Sequence, residues 1–203
     1  MKKLSVLFLL FAVAGVFAAP KNYIRNGKFT YLKYHGSVKV ADGVLPDPWQ
    51  PQGALAKYSQ DCTVVKDVKP ESYNGNAYRV VGVNYLFQYT YEVTPGKVYN
   101  LSCKMKTENI IPKAQPRFQI IWVDKNHREI IKEEKDAKGK VHKMWDHKWT
   151  WTTANHDWKE FQIPEFIAPA NAKYGKICIG KADAAGVVYY ADLKMEEVVS
   201  EQK

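Results

Sequence analysis

Between His142 and Trp158 the chain carries Trp145, Trp149, Trp151 and Trp158 together with His142, Asp146, His147 and His156, four of its six tryptophans in one short segment. That density is far above background. Two chemistries suit these residue types. Imidazoles beside a carboxylate could hold a metal ion, and flat indole faces could pack in a core or stack on a ligand. The histidines fall on no recognised ligand spacing, so no metal centre is expected. Trp149 and Trp151 share one parity and therefore one face, where core packing competes with ligand stacking. Trp145 lies between charged residues in a predicted loop and suits a binding rim. Catalytic motifs are not found: no Gly-x-Ser-x-Gly elbow exists, and Cys with His is too common a pairing to count. A carboxylate pair acting as acid and base depends on a spatial separation that a sequence does not contain.

These residues need elements to hold them, and the clearest elements lie between Tyr85 and Lys106. Two β-patterned segments flank Thr94-Pro95-Gly96-Lys97. Proline fixes φ at the second turn position and glycine supplies a positive φ at the third, which predicts a type II turn. Tyr85, Phe87, Tyr89, Tyr91 and Val93 share one parity of the first segment, while Leu86, Gln88, Thr90 and Glu92 share the other. In the second, Tyr99, Leu101, Cys103 and Met105 oppose Asn100, Ser102, Lys104 and Lys106. An arch between two sheets sends both apolar rows inward, whereas a hairpin within one sheet would set the aromatic row beside Ser102 and Lys104. The arch is the preferred reading.

Period-two patterns recur at Leu55 to Tyr58, Cys62 to Val68, Ala77 to Val83, Arg117 to Asp124, Trp149 to Thr152, Trp158 to Ile163, Tyr174 to Gly180 and Val187 to Glu196. Arg128 to Lys138 could form a helix or an exposed excursion. Many short strands with Pro/Gly turns predict an all-β, two-sheet jelly-roll β-sandwich.

Lys2 and Lys3 precede a mostly apolar run, Leu4 to Phe17, and small or aliphatic residues end at Ala18, which predicts a signal peptide over 1–18. The run is shorter than the ~20 residues that span a bilayer, so membrane insertion is not expected. Residues 19–203 are then expected to form one domain, large enough for a substantial core, and to be secreted, periplasmic or displayed at the cell surface. Removing two lysines with the leader lowers the formal charge from +9 to +7. The lysines are scattered, and no nucleic-acid-binding signature accompanies them. Cys62, Cys103 and Cys178 are odd in number; in an oxidising compartment the simplest state is one bridge and one thiol, with three buried unpaired cysteines as the alternative.

Several motifs then follow a known order. Asn26-Gly27-Lys28-Phe29, Pro46-Asp47-Pro48-Trp49, Gln88 before Pro95-Gly96-Lys97-Val98-Tyr99, Trp122-Val123-Asp124, Trp158 before Ile163-Pro164, and Val188-Tyr189-Tyr190-Ala191-Asp192-Leu193 resemble jelly-roll carbohydrate-binding modules of the xylan- and glucan-binding type, within the galactose-binding-like group. The resemblance implies a glycan or polysaccharide partner, in many cases alongside glycoside hydrolases, and a core role for Trp158. It also implies a structural calcium ion held by acids near both ends. Lys28, Thr30 and Ala191 stand where acids are usual, leaving Asp192, so calcium is doubtful and no cofactor is expected.

Glycan sites on this fold use aromatic faces against sugar rings and amides or Arg against hydroxyls. If Tyr78 and Val80 point inward, Arg79 points out; if Phe118, Ile120 and Trp122 point inward, Gln119 points out; and if the tyrosine row is core, Gln88 points out. The expected contacts are Gln88, with Arg79 beside it, Gln119, Trp149, and Trp145 at the rim. The expected function is non-catalytic polysaccharide binding by an exported module. The alternatives are a sandwich-fold polysaccharide lyase or glycosidase, and a structural or adhesive surface protein.

Overall fold

A computed structural model describes residues 20–33, 45–51 and 62–199; the expected leader and the strand expected at Leu55 to Tyr58 lie outside them. In chain order the strands are β1 (Leu32–Lys33), β2 (Leu45–Pro46), β3 (Gln50–Pro51), β4 (Cys62–Val65), β5 (Ala77–Val81), β6 (Asn84–Tyr89), β7 (Val98–Glu108), β8 (Arg117–Val123), β9 (Ile131–Lys135), β10 (Val141–Trp145), β11 (His147–Trp151), β12 (His156–Ile167), β13 (Tyr174–Lys181) and β14 (Val187–Glu197). Two five-stranded antiparallel sheets result, a front sheet ordered β11-β8-β13-β6-β3 and a back sheet ordered β12-β7-β14-β5-β4. This is a jelly-roll β-sandwich.

Alternation along each strand builds the core. The front sheet sends in Leu86, Phe118, Ile120, Trp122, Ile177 and Ile179, and the back sheet sends in Tyr78, Val80, Leu101, Cys103, Met105, Val188 and Tyr190. Trp122 stacks on Phe166 at 4.8 Å between centroids and meets Tyr99 edge-on at 5.9 Å. Burying each such side chain contributes about 1.5–3 kcal/mol. Tyr190 accepts the Gly180 N–H at 3.1 Å, and its hydroxyl lies 2.6 Å from the Gly180 carbonyl and 3.0 Å from that of Arg117, which ties the two sheets together. Burial holds its pKa well above the usual phenol value.

The arch is present. Strand β6 belongs to the front sheet and β7 to the back, and the Lys97 N–H donates to the Thr94 carbonyl at 3.2 Å across a Gly96 with φ +79°. The parity of β6, however, is the reverse of the expectation. Leu86 and Gln88 face the core, with Gln88 only 1% exposed, and Tyr85, Phe87 and Tyr89 face outward, partly exposed. The amide of Gln88 serves the scaffold, since its Nε2 donates at 2.7 Å to the carbonyl of Arg25. That carbonyl belongs to the N-terminal segment, which is also bonded through Tyr23 to Met195 and Tyr91. The bond ties β6 to that segment, while the other amide atom, Oε1, is buried without a partner.

Two further expectations change. Residues 128–138 form no helix; they lead into a hairpin of β9 and β10 that pairs Val141 with Lys135 and Trp145 with Ile131. All three cysteines are buried thiols, so the expected single bridge is absent. Cys62 and Cys103 sit on strands β4 and β7, which β5 and β14 separate, roughly 14 Å at normal strand spacing and beyond disulfide reach. Cys178 points to the opposite side of the front sheet.

Candidate functional site

The outer face of the front sheet places aromatic side chains in two rows. On edge strand β11, His147, Trp149 and Trp151 point outward, opposite Ile121, Gln119 and Arg117 of β8. Across β13 these align with Lys176, Cys178 and Gly180, and then with Tyr89, Phe87 and Tyr85 of β6. Three cross-strand rows result: His147-Ile121-Lys176-Tyr89, Trp149-Gln119-Cys178-Phe87 and Trp151-Arg117-Gly180-Tyr85. Large rings occupy both ends of each row. The middle holds buried Ile121 and Cys178 and the side-chain-free Gly180, so the face is a trough between two aromatic rails about 14 Å apart at normal strand spacing.

The β11 rail is a continuous ladder. Trp145 meets His147 edge-on at 6.3 Å, His147 stacks on Trp149 at 4.4 Å and 15°, and Trp149 leans on Trp151 at 6.2 Å. These rings remain open to solvent: Trp145, Trp149 and Trp151 are 53%, 44% and 49% exposed. Alternate positions 145, 147, 149 and 151 keep the same side because a strand repeats every two residues, and Asp146, bonded through its N–H to the Ile130 carbonyl at 2.8 Å, joins the hairpin to β11.

The opposite rail is extended by a turn. Asp124 Oδ1 accepts the Asn126 and Arg128 N–H groups at 2.8 and 2.9 Å, bonds that hold its carboxyl below the usual range, with the Arg128 contribution largest. This Asx-type turn presents His127, at φ +59°, stacked on Tyr89 at 4.1 Å and 12° and tilted against Tyr174 at 5.0 Å. Phe87 and Tyr89 meet at 5.9 Å.

Polar groups line the strip between the rails. Lys176 lies over the Phe87 ring at 5.0 Å and donates to Glu129 Oε1 at 2.8 Å; burial works against its charge, but the carboxylate outweighs burial and its pKa is raised. Arg117 lies over the Tyr85 ring at 5.5 Å. Burial raises the Tyr85 pKa, an effect partly offset by that guanidinium. Burial also pushes the Cys178 thiol up to about 12, which removes it as a nucleophile. Gln119 stands between Trp149 and Cys178. The trough can stack apolar ring faces at its sides and offer hydrogen-bond donors along its floor.

Of the residues expected at a site, Gln119 and Trp149 stand together in this trough and Trp145 stands where the hairpin joins it. Gln88 is not there: it is inside the sandwich. Arg79 is not beside them either, because β5 lies in the back sheet and Arg79 pairs in register with Tyr189 and Thr63; its parity is outward as expected, but on the other side of the molecule. Tyr85, Phe87, Tyr89, Arg117, His127, His147, Trp151 and Lys176 lie outside the expected set. The aromatic alternation at 145–151 is the signal that could have added His147 and Trp151. Trp158, expected in the core, is half-buried on the outer side of the back sheet against Tyr189, at 6.4 Å.

The acids left for calcium do not suit it. Asp192 Oδ2 is bonded to Lys194 Nζ at 2.9 Å, and the oxygen of Asn26 already accepts the Thr30 and Tyr31 N–H groups. An ammonium where a hard cation would need carboxylates disfavours the ion.

No protein-family model matches the sequence, and no curated protein does either. Solved structures do match in shape. The enzymatically active domain of tailspike protein 4 from bacteriophage CBA120 aligns at a TM-score of 0.56 and 13% identity over 87% of this chain and 21% of that one, so this chain spans about a fifth of the tailspike domain's length. A Bacteroides thetaiotaomicron protein proposed to bind sugar aligns at 0.52 and 13% identity, over 88% of this chain and all of its own. A family 61 carbohydrate-binding module in complex with β-1,4-galactotriose aligns at 0.49 and 14% identity, over 88% of this chain and 99% of its own. At these identities the likeness concerns the fold alone.

Proposed function

We propose that this protein is an exported, non-catalytic polysaccharide-binding module that holds an extended glycan along the trough on its front sheet. The observation that carries the reading is the pair of aromatic rails, the solvent-open Trp149 with Trp151 and the partly exposed Tyr85 with Phe87 and Tyr89, flanking a strip of Gln119, Arg117 and Lys176. Pyranose rings present apolar C–H faces that suit aromatic rings, and their hydroxyls suit amide, guanidinium and ammonium donors. The ladder from Trp145 to Trp151 sets four rings in succession, 6.3, 4.4 and 6.2 Å apart, which favours a chain of several sugars over a single residue. Non-catalytic binding is supported by the trough's acids: Glu129 is engaged by Lys176, and no second carboxylate faces it across the strip among the described residues, as hydrolysis by paired acids requires. Export rests on Lys2, Lys3 and the apolar run to Phe17. The shape likeness to a protein proposed to bind sugar agrees with the reading. The test is a glycan array and insoluble-polysaccharide pulldown with the chain and its Trp149→Ala/Trp151→Ala variant: retention without release of sugar, lost in the variant, is expected, and equal retention of both would overturn the assignment of the trough.

A further inference from the structure

We infer that the trough selects a glycan carrying hexuronic acid, whose carboxylate pairs with Arg117. The inference rests on the polysaccharide reading above and concerns which polysaccharide. Three cationic or polar side chains line the strip, and they differ in what already holds them. Lys176 is engaged by Glu129 at 2.8 Å, both side chains being largely buried. Gln119 is neutral. Arg117 is charged, half-buried, and meets no carboxylate among the described residues; its guanidinium rests over the Tyr85 ring at 5.5 Å.

The surroundings of Arg117 are built for an anion. Its row reads Trp151-Arg117-Gly180-Tyr85, and Gly180 adds no side chain, so the arginine crosses the glycine and lays its guanidinium over the phenol ring. The backbone beneath is fixed: the Tyr190 hydroxyl lies 3.0 Å from the Arg117 carbonyl, and the Thr152 N–H donates to the Pro116 carbonyl at 3.2 Å. A planar fork of donors held over an aromatic face, with no carboxylate of the chain paired to it among the described residues, matches a carboxylate in bidentate geometry. Arg117 lies directly opposite Trp151 in the strand register, so a sugar stacked on that indole would bring its substituents beside the guanidinium. The formal charge, +7 once Lys2 and Lys3 leave with the leader, favours approach of a polyanion as well.

The experiment compares sodium polygalacturonate, alginate and glucuronoxylan with their carboxyl-reduced forms, which keep the backbone and remove the charge. Affinity electrophoresis or calorimetry is run on the chain, Arg117→Ala, Arg117→Lys and Trp149→Ala/Trp151→Ala, with the thermal midpoint of each. The expected result is that at least one uronate polymer binds roughly tenfold or more tighter than its reduced form. Arg117→Ala should erase that preference, Arg117→Lys restore part of it, and added salt weaken it. Equal binding of charged and reduced forms, binding of neutral glycans alone, or a preference that survives Arg117→Ala in a folded variant would overturn the inference while leaving glycan binding intact, provided the tryptophan variant loses retention. If no polymer in either form is bound while the glycan array yields another ligand, the uronate inference alone is overturned; silence of the array as well overturns the polysaccharide reading.

Discussion

The two outer faces of the sandwich carry similar aromatic residues and treat them in opposite ways. On the back sheet, Trp158 rests on Tyr189, and Val65, Val68, Tyr73 and Val187 close around Ala77, Tyr189 and Ala191 into a small secondary core. The Tyr73 hydroxyl accepts the Asp192 N–H at 3.0 Å, and Lys106 is shared by Glu108 and Asp157 at 3.3 and 3.4 Å. That face closes over its own rings. On the front sheet the rings touch one another edgewise or in stacks along each rail, yet the strip between the rails holds Ile121, Gln119, Cys178 and Gly180, the engaged Lys176 and an arginine without a carboxylate. A tryptophan count alone therefore does not locate a binding surface; what matters is whether neighbours of the right size fold over the rings.

The sharpest way to break this comparison is to remove one face's rings at a time. Trp149→Ala with Trp151→Ala removes two platforms worth about 1 kcal/mol or more each, so retention on the bound polysaccharide should fall roughly thirtyfold or more with little change in thermal midpoint. Trp158→Ala should do the reverse, lowering the midpoint and sparing retention. Identical behaviour of the two variants would remove the distinction between the faces.

Gln88→Ala sharpens it from inside. The loss leaves the Arg25 carbonyl without its donor, and stability measured by urea unfolding should drop by about 1–3 kcal/mol, while glycan retention of the folded fraction stays as in the parent. A variant that unfolds normally but no longer binds would return Gln88 to the surface.

Cys178 probes the trough floor and Cys62 with Cys103 the core. Burial raises the Cys103 thiol well above its usual range and Cys178 to about 12, so both stay protonated at pH 8 and thiolate chemistry should be slow. Mass spectrometry after iodoacetamide should find the native chain largely unmodified and the urea-unfolded chain modified at all three cysteines. Modification of a single cysteine in the unfolded, unreduced chain would reveal a disulfide.

The smallest expected effect is that of calcium. With Asp192 held by Lys194, a chelator should leave the thermal midpoint within about a degree, since an ion that does not bind the native state adds no stability. A fall of many degrees, reversed by calcium, would mean that other oxygens had been assembled into a site.

Much of the scaffold is legible from local pattern. The strands at Ala77, Arg117, Tyr174 and Val187 begin where alternation begins, and Pro95-Gly96 marks the crossing from one sheet to the other. Outward Arg79 and Gln119 also follow, because each lies between residues whose apolar character leaves one choice: Tyr78 with Val80, and Phe118 with Ile120. Strand β6 offers no such contrast. Tyr and Phe can fill a core or line a ligand surface, and Leu86 with Gln88 and Thr90 is the more polar row by composition. Residues 128–138 are ambiguous for a related reason, since an exposed ribbon needs no apolar stripe.

Local pattern alone establishes that this chain forms short strands joined by defined turns and that its aromatic residues recur at strand spacing, and it favours a turn at Pro95-Gly96 that crosses between sheets. These are consequences of backbone geometry and side-chain alternation, which act over a few residues. Only the tertiary structure decided that Gln88 turns inward, that Arg79 and Gln119 part to opposite sides, and that β11 and β6 place their rings across the same trough. Each of those outcomes depends on a partner far along the chain, an Arg25 carbonyl needing a donor or a β13 supplying Cys178 and Gly180 between two rails, and no local periodicity encodes such a partner.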